Sequence, residues 1–218
     1  MIEPYYQAGG ITIYHGDCRD VLPGLAGYSV VVSDVPYGRA LRSGWNGAHG
    51  DCRIENDETT ELRDWMLSQI KAPAIVFGSP FIPRPIGVTP DRVLIWDKGE
   101  HVGMGDLSWP WKPNYEEIYI IGNGFSGPRS GSVLHYLAIA GTVAVTQGRD
   151  HPTQKPVSLM RTLILKCPVG TILDPFMGSG STLRAAKDLG RSAIGIEIEE
   201  RYCEVAARRL QQEVMDLV

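Results

Sequence analysis

Thr171-Ile-Leu-Asp-Pro-Phe-Met-Gly-Ser-Gly-Ser-Thr182 is the stretch that decides the fold, because it predicts a strand, a glycine-rich turn and the start of a helix. Gly178 and Gly180 can adopt backbone conformations that other residues avoid, which lets the chain pass close to a ligand. The first amides of the helix favour a carboxylate or another anion. No lysine follows the second glycine, and Asp174 would repel a phosphate but pair with an amine. The stretch therefore predicts a site for a cofactor that carries an amino acid.

Strands and helices are predicted to alternate along the rest of the chain. Short apolar and β-branched runs predict seven strands, at residues 11–17, 29–34, 72–78, 92–97, 117–122, 171–174 and 192–198. Amphipathic stretches predict helices at residues 59–71, 156–167, 181–189 and 199–214. This alternation predicts a mostly parallel α/β sheet with helices on both faces.

Acidic residues stand at the ends of three other predicted strands, where open α/β sheets bind their ligands. Glu197 lies 19 positions after Gly178, close to the offset at which an acidic residue binds ribose hydroxyls in dinucleotide folds. Asp17 ends the first strand, where a turn or helix cap is the alternative to a binding role. Asp34 is followed by Val35-Pro-Tyr37, and a ring beside a carboxylate suits a planar ligand that carries an amino group.

Composition limits the classes of protein to consider. The chain has 218 residues, of which 43% are hydrophobic and 21% charged, so one globular domain is expected. No apolar run is long enough for a membrane span. The four cysteines show neither zinc-ligand nor redox-pair spacing, so we predict no metal, reduced thiols and a cytoplasmic location. The net charge of −4 argues against non-specific binding to nucleic acid, although residues 38–54 are locally basic.

Three motifs occur in this order: Asp34-Val-Pro-Tyr37, His151-Pro-Thr-Gln-Lys-Pro156 and Asp174-Pro-Phe-Met-Gly-Ser-Gly180. Together they resemble the β class of DNA amino-methyltransferases, which methylate adenine N6 or cytosine N4 with S-adenosylmethionine and in which the catalytic half precedes the cofactor half. The resemblance implies a Rossmann-like class I methyltransferase fold with a circularly permuted motif order. It also implies a mostly parallel sheet of seven strands in which the last strand is antiparallel.

The resemblance implies a role for each matching position. The cofactor would lie against the glycine-rich turn, with its ribose on Glu197 and its adenine near Asp17. Asp34 and the carbonyl of Val35 would accept hydrogen bonds from the target amino group, Pro36 would complete the corner, and Tyr37 would stack on the flipped base. The full set of implied cofactor-binding residues is Asp17, Cys18, Thr153, Lys155, Asp174, Pro175, Phe176, Gly178, Ser179, Gly180 and Glu197.

One position departs from the family pattern. Where the family usually has proline, this chain has Val35. Valine also supplies a backbone carbonyl, so what is lost is the fixed φ of proline. We therefore expect activity to be reduced at most.

Double-stranded DNA is the partner that the resemblance implies. One domain, residues 1–218, would carry a mobile loop at about residues 38–58 and a target-recognition insertion at about residues 122–150. Because the insertion is short, recognition would also fall to the loop or to a second subunit of a homodimer. The candidate DNA contacts are Arg39, Arg42, Trp45, Arg53, Arg129 and Arg149.

Four functions remain open at this point. Aspartate rather than serine at position 34 favours adenine N6, and cytosine N4 is the alternative within the family. A catalytically weak cofactor- or DNA-binding homologue would suit Val35 and the acidic net charge. Methylation of another amide, such as a glutamine side chain, is disfavoured by the motif order. Methylation of cytosine C5 is excluded, because the chain has no Pro-Cys pair to supply a nucleophile.

Overall fold

The computed structural model describes residues 2–36, 59–100, 108–138 and 154–212, together with the backbone of residues 42–43 and 52–53. The strands are β1 Tyr6–Ala8, β2 Ile11–His15, β3 Tyr28–Ser33, β4 Arg42–Ser43, β5 Cys52–Arg53, β6 Ala74–Gly78, β7 Arg92–Asp97, β8 Tyr115–Ile121, β9 Val133–His135, β10 Thr171–Asp174 and β11 Ala193–Glu197. The helices are α1 Cys18–Val21, α2 Glu61–Gln69, α3 Val157–Ile164, α4 Ser181–Asp188 and α5 Glu200–Gln211.

Nine of the described strands form one mixed sheet in the order β1-β2-β11-β10-β3-β6-β8-β7-β9. The five strands from β2 to β6 in this order are parallel to one another. Strand β8 is antiparallel to both β6 and β7, so β7 runs in the same direction as the parallel strands. Strands β4 and β5 form a separate two-stranded ladder.

Apolar side chains cover both faces of the central strands. Val30, Val32 and Ile172 belong to one hydrophobic cluster, which includes buried residues of α3, α4 and α5. Val31 and Leu173 belong to a second cluster, which includes buried residues of α1 and α2. Successive side chains of a strand point to opposite faces, so a strand buried on both faces has a continuous apolar sequence. The sequence Val30-Val-Val32 shows this pattern.

The observed sheet confirms the α/β prediction and differs from it at the edges. All seven predicted strands are present, and the short strands β1 and β9 extend the sheet among the described residues. Each of these two has three residues, which is too short to show a period in the sequence. The expectation that the last strand in the chain is antiparallel was wrong. The last strand, β11, is parallel to both of its neighbours, and β8 is antiparallel to β6. Strand β9 lies within the predicted recognition insertion, whose residues 139–150 are outside the described residues.

The topology places a crevice at the carboxyl ends of β3 and β10. From β10 the chain continues through α4 on the face of the first cluster, whereas from β3 it continues through α2 on the face of the second. The two connections leave neighbouring strands on opposite faces, which makes this pair the switch point where open α/β sheets bind ligands. None of the helices in the described part of the chain is long and apolar enough to cross a membrane.

Candidate active site

Asp174 ends β10 at the switch point, and its carboxylate is held from three sides. It accepts hydrogen bonds from the hydroxyls of Ser33 at 2.7 Å and Thr182 at 2.5 Å, and from the amide of Phe176 at 3.2 Å. The side chain is buried, and burial raises its pKa to about 6 although these hydrogen bonds favour the charged form. The bond from Ser33 joins the end of β3 to the end of β10, so the two motifs lie side by side.

The glycine-rich turn is fixed against α5. Gly178 has a φ of 51° and Gly180 a φ of 79°, which is the left-handed region that glycine adopts without strain. A Cβ at Gly180 would lie 2.8 Å from the Cβ of Ala206 on α5. Arg209, also on α5, donates a hydrogen bond to the carbonyl of Ser179 at 2.7 Å. The turn therefore requires glycine for its backbone and for its contact with the helix.

Glu197 ends β11 beside this turn. Its Oε2 accepts a hydrogen bond from the Gly178 amide at 3.0 Å, and its Oε1 accepts one from the Glu199 amide at 2.8 Å. Burial raises the pKa of Glu197 to about 7, and these two amides work in the opposite direction. The buried hydroxyl of Ser181, at the start of α4, finds no hydrogen-bond partner among the described residues. The carboxylate of Glu197 and the hydroxyl of Ser181 are thus polar groups next to the turn.

Asp34 follows β3 and forms an ion pair with Lys155. The side chain of Lys155 is only 6% exposed, and its Nζ also lies 3.4 Å from Oε2 of Glu116 on β8. Glu116 in turn pairs with Lys98 at 2.5 Å. The resemblance assigned Lys155 to the cofactor, and the structure places its ammonium against the carboxylate of Asp34.

The residues next to Asp34 divide into a buried one and a partly exposed one. The side chain of Val35 is 1% exposed and belongs to the second hydrophobic cluster, with Val31 and Met66. Pro36 is partly exposed. Val35 therefore anchors the corner through core packing, which supplies some of the restraint that a proline would give through its fixed φ.

Asp17 adopts the capping role that the sequence left open. It is the N-cap of α1, and it accepts a hydrogen bond from the Arg19 amide at 2.8 Å and pairs with the Arg19 guanidinium at 2.5 Å. The Gly16 amide donates to the carbonyl of Glu197 at 2.9 Å, so Asp17 lies at the same edge of the sheet as the other acidic residues. Cys18 is buried, and burial raises the pKa of its thiol to about 12.

A family model described as DNA methylase, for N6 and N4 methylation, matches residues 92–208. The chain belongs to the N6/N4 DNA methylase family. The predicted membership is thereby confirmed, and the matched region contains the glycine-rich turn, Glu197 and Lys155.

Relatives and solved structures extend the likeness of this DNA methylase to the whole chain. It is 24% identical to the type II methyltransferase M.ScaI of Streptomyces caespitosus, over 99% of this chain and 86% of the relative. It is 24% identical to M2.MboI of Moraxella bovis, over 97% and 92%. The structure of the M1.HpyAVI–SAM complex superposes with a TM-score of 0.66 and 22% identity, over 93% of this chain and all of that one. The structure of the cytosine-N4-specific PvuII DNA methyltransferase superposes with a TM-score of 0.68 and 17% identity, over 98% of this chain and 90% of that one.

The structure brings most of the predicted cofactor residues to one edge of the sheet. Several of the predicted DNA contacts lie outside the residues that the structure describes. Arg129 is exposed in the segment that leads to β9. Arg42 and Arg53 are paired in the β4–β5 ladder, where only the backbone is described. Tyr37, Arg39, Trp45, Arg149 and Thr153 lie outside the described residues.

Three residues of this site had escaped the sequence analysis. Ser33 and Thr182 bind Asp174, and Glu116 binds Lys155. Glu116 carried a usable signal, because it and Glu117 directly precede an apolar stretch, and a charge that is buried beside such a stretch needs a partner. Ser33 and Thr182 carried none, since small hydroxyl residues are common at strand ends and in first helical turns.

Proposed function

We propose that this DNA methylase transfers a methyl group from S-adenosylmethionine to the exocyclic amino group of a base flipped out of duplex DNA, with adenine N6 as its target. One observation carries the proposal. Ser33 precedes Asp34 and donates a hydrogen bond to Asp174, so the corner proposed for the target base and the turn proposed for the cofactor adjoin each other.

The residues around the glycine-rich turn fit the cofactor. S-adenosylmethionine has an ammonium, a carboxylate and two ribose hydroxyls. The carboxylate of Asp174 suits the ammonium, and Glu197 can accept hydrogen bonds from the ribose hydroxyls. The hydroxyl of Ser181, which has no hydrogen-bond partner in the described part of the chain, and the first amides of α4 suit the carboxylate. A Cβ at Gly180 would overlap Ala206, so the absence of a side chain lets the turn pack closely against α5. When bound, the cofactor supplies an electrophilic methyl group on a sulfonium.

The chemistry asked of Asp34 is alignment. The lone pair of an exocyclic amino group is delocalised into the base, which makes its nitrogen a weak nucleophile. A carboxylate and a carbonyl that accept its two hydrogens favour a pyramidal nitrogen with its lone pair directed at the methyl carbon. The nitrogen forms a bond to carbon, the carbon–sulfur electron pair returns to sulfur, and one amino proton is released to solvent. No covalent intermediate with the protein is required.

The choice of adenine over cytosine rests on Asp34, since aspartate at this position favours adenine within the family. The PvuII DNA methyltransferase, which is cytosine-N4-specific, is the reason to keep cytosine as the second candidate. Relatives named type II methyltransferases support a role in a restriction–modification system. Homodimer formation and a cytoplasmic location stay predictions.

The test is incubation with isotopically labelled S-adenosylmethionine and duplex DNA, followed by mass analysis of the nucleosides. We expect labelled N6-methyladenine. Label in N4-methylcytosine would overturn the choice of base but keep the reaction. Tight cofactor binding without label in any base would leave a binding homologue as the conclusion.

A further inference from the structure

We propose that Lys155 is a positioning residue for methyl transfer, whose buried ammonium fixes the carboxylate of Asp34 in its ionised form while Glu116 fixes the ammonium. This inference rests on the proposed function, because it assigns Asp34 to the target amino group. It differs from the role that the resemblance gave to Lys155, which was to bind the cofactor.

The geometry around Lys155 leaves its ammonium little freedom. It pairs with Asp34 after β3 and lies 3.4 Å from Glu116 on β8. Two rings complete the enclosure, with the ammonium 5.1 Å from the centroid of Phe77 and 5.8 Å from that of Trp96. These four residues come from four different strands or their ends, and Phe77 and Trp96 are at most 2% exposed. A cation held this way has one position, and so does the carboxylate that pairs with it.

The charges in this cluster balance. Burial disfavours the ammonium, but the carboxylates of Asp34 and Glu116 outweigh it and raise the pKa of Lys155. Burial likewise disfavours the Glu116 carboxylate, but Lys155 and Lys98 lower its pKa. Asp174 is a further charged group that senses Asp34, since the negative charge of Asp34 contributes to the raised pKa of Asp174. Removing Lys155 would take away the cation that pairs with Asp34, while Lys98 would still pair with Glu116.

An ionised Asp34 is what the proposed reaction needs. A carboxylate accepts a hydrogen bond from an amino group strongly, whereas a protonated carboxyl competes as a donor. Asp34 and Glu116 both contact the ammonium of Lys155, and the charge of Asp34 also acts on Asp174. Asp34 is therefore repelled by both acidic groups and would take up a proton more readily without the cation. The ammonium of Lys155 prevents this uptake. If Lys155 served only to attach residues 154–156 to the sheet, loss of its charge would still move the Asp34 midpoint, but kcat would stay unchanged in a variant that folds and binds the cofactor.

The experiment compares Lys155→Met, which keeps the length of the side chain and removes its charge, with Lys155→Arg and with the control Lys71→Met. Lys71 is exposed at the opposite edge of the sheet. We expect Lys155→Met to lower kcat about 100-fold and to keep the Kd for S-adenosylmethionine within about threefold. The acidic limb of the plot of kcat against pH should move to higher pH. A ¹³C titration of the Asp34 carboxyl in the cofactor-free protein should show a midpoint higher by about one pH unit or more. Lys155→Arg should restore part of the rate, and Lys71→Met should match the wild type.

The outcomes separate this inference from the proposed function. An unchanged Asp34 midpoint in Lys155→Met would overturn the inference, and so would loss of cofactor binding with the midpoint unmoved. If the wild type methylates no DNA while the midpoint still moves, the proposed function fails, and only the effect of Lys155 on the ionisation of Asp34 stands. Should Lys155→Met not fold, Glu116→Gln decides. Glu116→Gln should reduce kcat, because the ammonium of Lys155 loses one of its two carboxylate contacts. It should not raise the Asp34 midpoint, because it also removes a neighbouring negative charge. A full rate in both Glu116→Gln and Lys155→Arg would overturn the proposal.

Discussion

Asp34 stands at the start of the corner that follows β3, between a buried cation and a residue that binds a second carboxylate. Its partner Lys155 is buried, and its neighbour Ser33 binds Asp174. In the proposed function, Asp34 would contact the target base without forming part of the glycine-rich turn. The two functions of the site, base binding and cofactor binding, should therefore separate on mutation.

We expect Asp34→Ala to abolish methyl transfer while the Kd for S-adenosylmethionine stays within a few-fold of the wild type. The reason is that the substitution removes the acceptor for the target amino group and leaves the turn intact. An activity assay and calorimetry measure the two quantities, and Asp34→Asn serves as the matched variant that keeps the shape. Turnover retained in Asp34→Ala would contradict the role assigned to this residue.

Glu197 gives the site a dependence on pH. Its raised pKa of about 7 means that the folded, cofactor-free protein holds a proton there which the unfolded chain releases at lower pH. Its stabilising contribution is therefore fully present below the unfolded pKa and is lost as the pH rises through about 7. Ribose hydroxyls prefer the ionised carboxylate, so cofactor binding should follow the opposite trend.

We expect the affinity for S-adenosylmethionine to rise about tenfold between pH 6 and pH 7, about fivefold from the ionisation of Glu197 and about twofold from that of Asp174. In Glu197→Gln this rise should shrink to the smaller part that Asp174, with a pKa of about 6, contributes. Calorimetry across this range tests it, with Glu204→Gln on the exposed face of α5 as the control. An undiminished rise in Glu197→Gln would mean that another group binds the ribose.

At the scale of elements, the site depends on how the turn between β10 and α4 packs against α5. Gly180 and Gly190 bracket α4, and both have a positive φ, of 79° and 64°. They differ in their surroundings: a Cβ at Gly180 would lie 2.8 Å from the Cβ of Ala206, whereas a Cβ at Gly190 meets nothing within 4 Å. An alanine at Gly190 would therefore show the cost of backbone strain alone, and an alanine at Gly180 the cost of strain and steric overlap together.

Gly190→Ala should cost about 1 kcal/mol of unfolding free energy, from backbone strain alone. Gly180→Ala should cost about 1–3 kcal/mol more, because α5 has to move, and it should also weaken binding of S-adenosylmethionine. Urea unfolding and calorimetry measure both effects. Equal costs with unchanged binding in the two variants would show that α5 does not shape the cofactor site.

At the scale of the whole molecule, a net charge of −4 has to be reconciled with a DNA substrate. The affinity of a protein for DNA depends on local phosphate contacts rather than on the global charge, so a basic loop on an acidic protein is sufficient. The locally basic residues 38–54 follow the Asp34 corner directly in the chain. We therefore keep them as the predicted path of the DNA backbone.

Replacing Arg39 and Arg42 together with alanine should weaken DNA binding and flatten the plot of log affinity against log salt by about 1 to 2 units. Cofactor binding should stay unchanged. The matched control replaces Arg92 and Lys71, two exposed cations at the opposite edge of the sheet, and removes the same charge. Fluorescence anisotropy at several salt concentrations measures the slope. Equal slopes in the two double variants would place the DNA path elsewhere, such as across residues 122–150.

The sequence alone determined the fold class and one half of the site. The glycine-rich turn needs glycine for local backbone reasons, and the apolar strands Tyr28–Ser33 and Ala74–Gly78 are continuous in sequence, so both could be predicted from neighbouring residues. The order of three motifs along the chain was enough to predict the family, which the family model then confirmed.

Only the tertiary structure decided what surrounds Asp34. Lys155 lies 121 residues away along the chain, and Glu116 is contributed by an antiparallel strand whose place beside β6 no local pattern fixes. The same holds for the contact of Gly180 with Ala206 and for the strands β1 and β9, which are too short to show a period. Local propensity fixes the elements because it acts between near neighbours in sequence. The partners of a buried charge are chosen by the balance of desolvation and pairing, which exists only once the chain has folded.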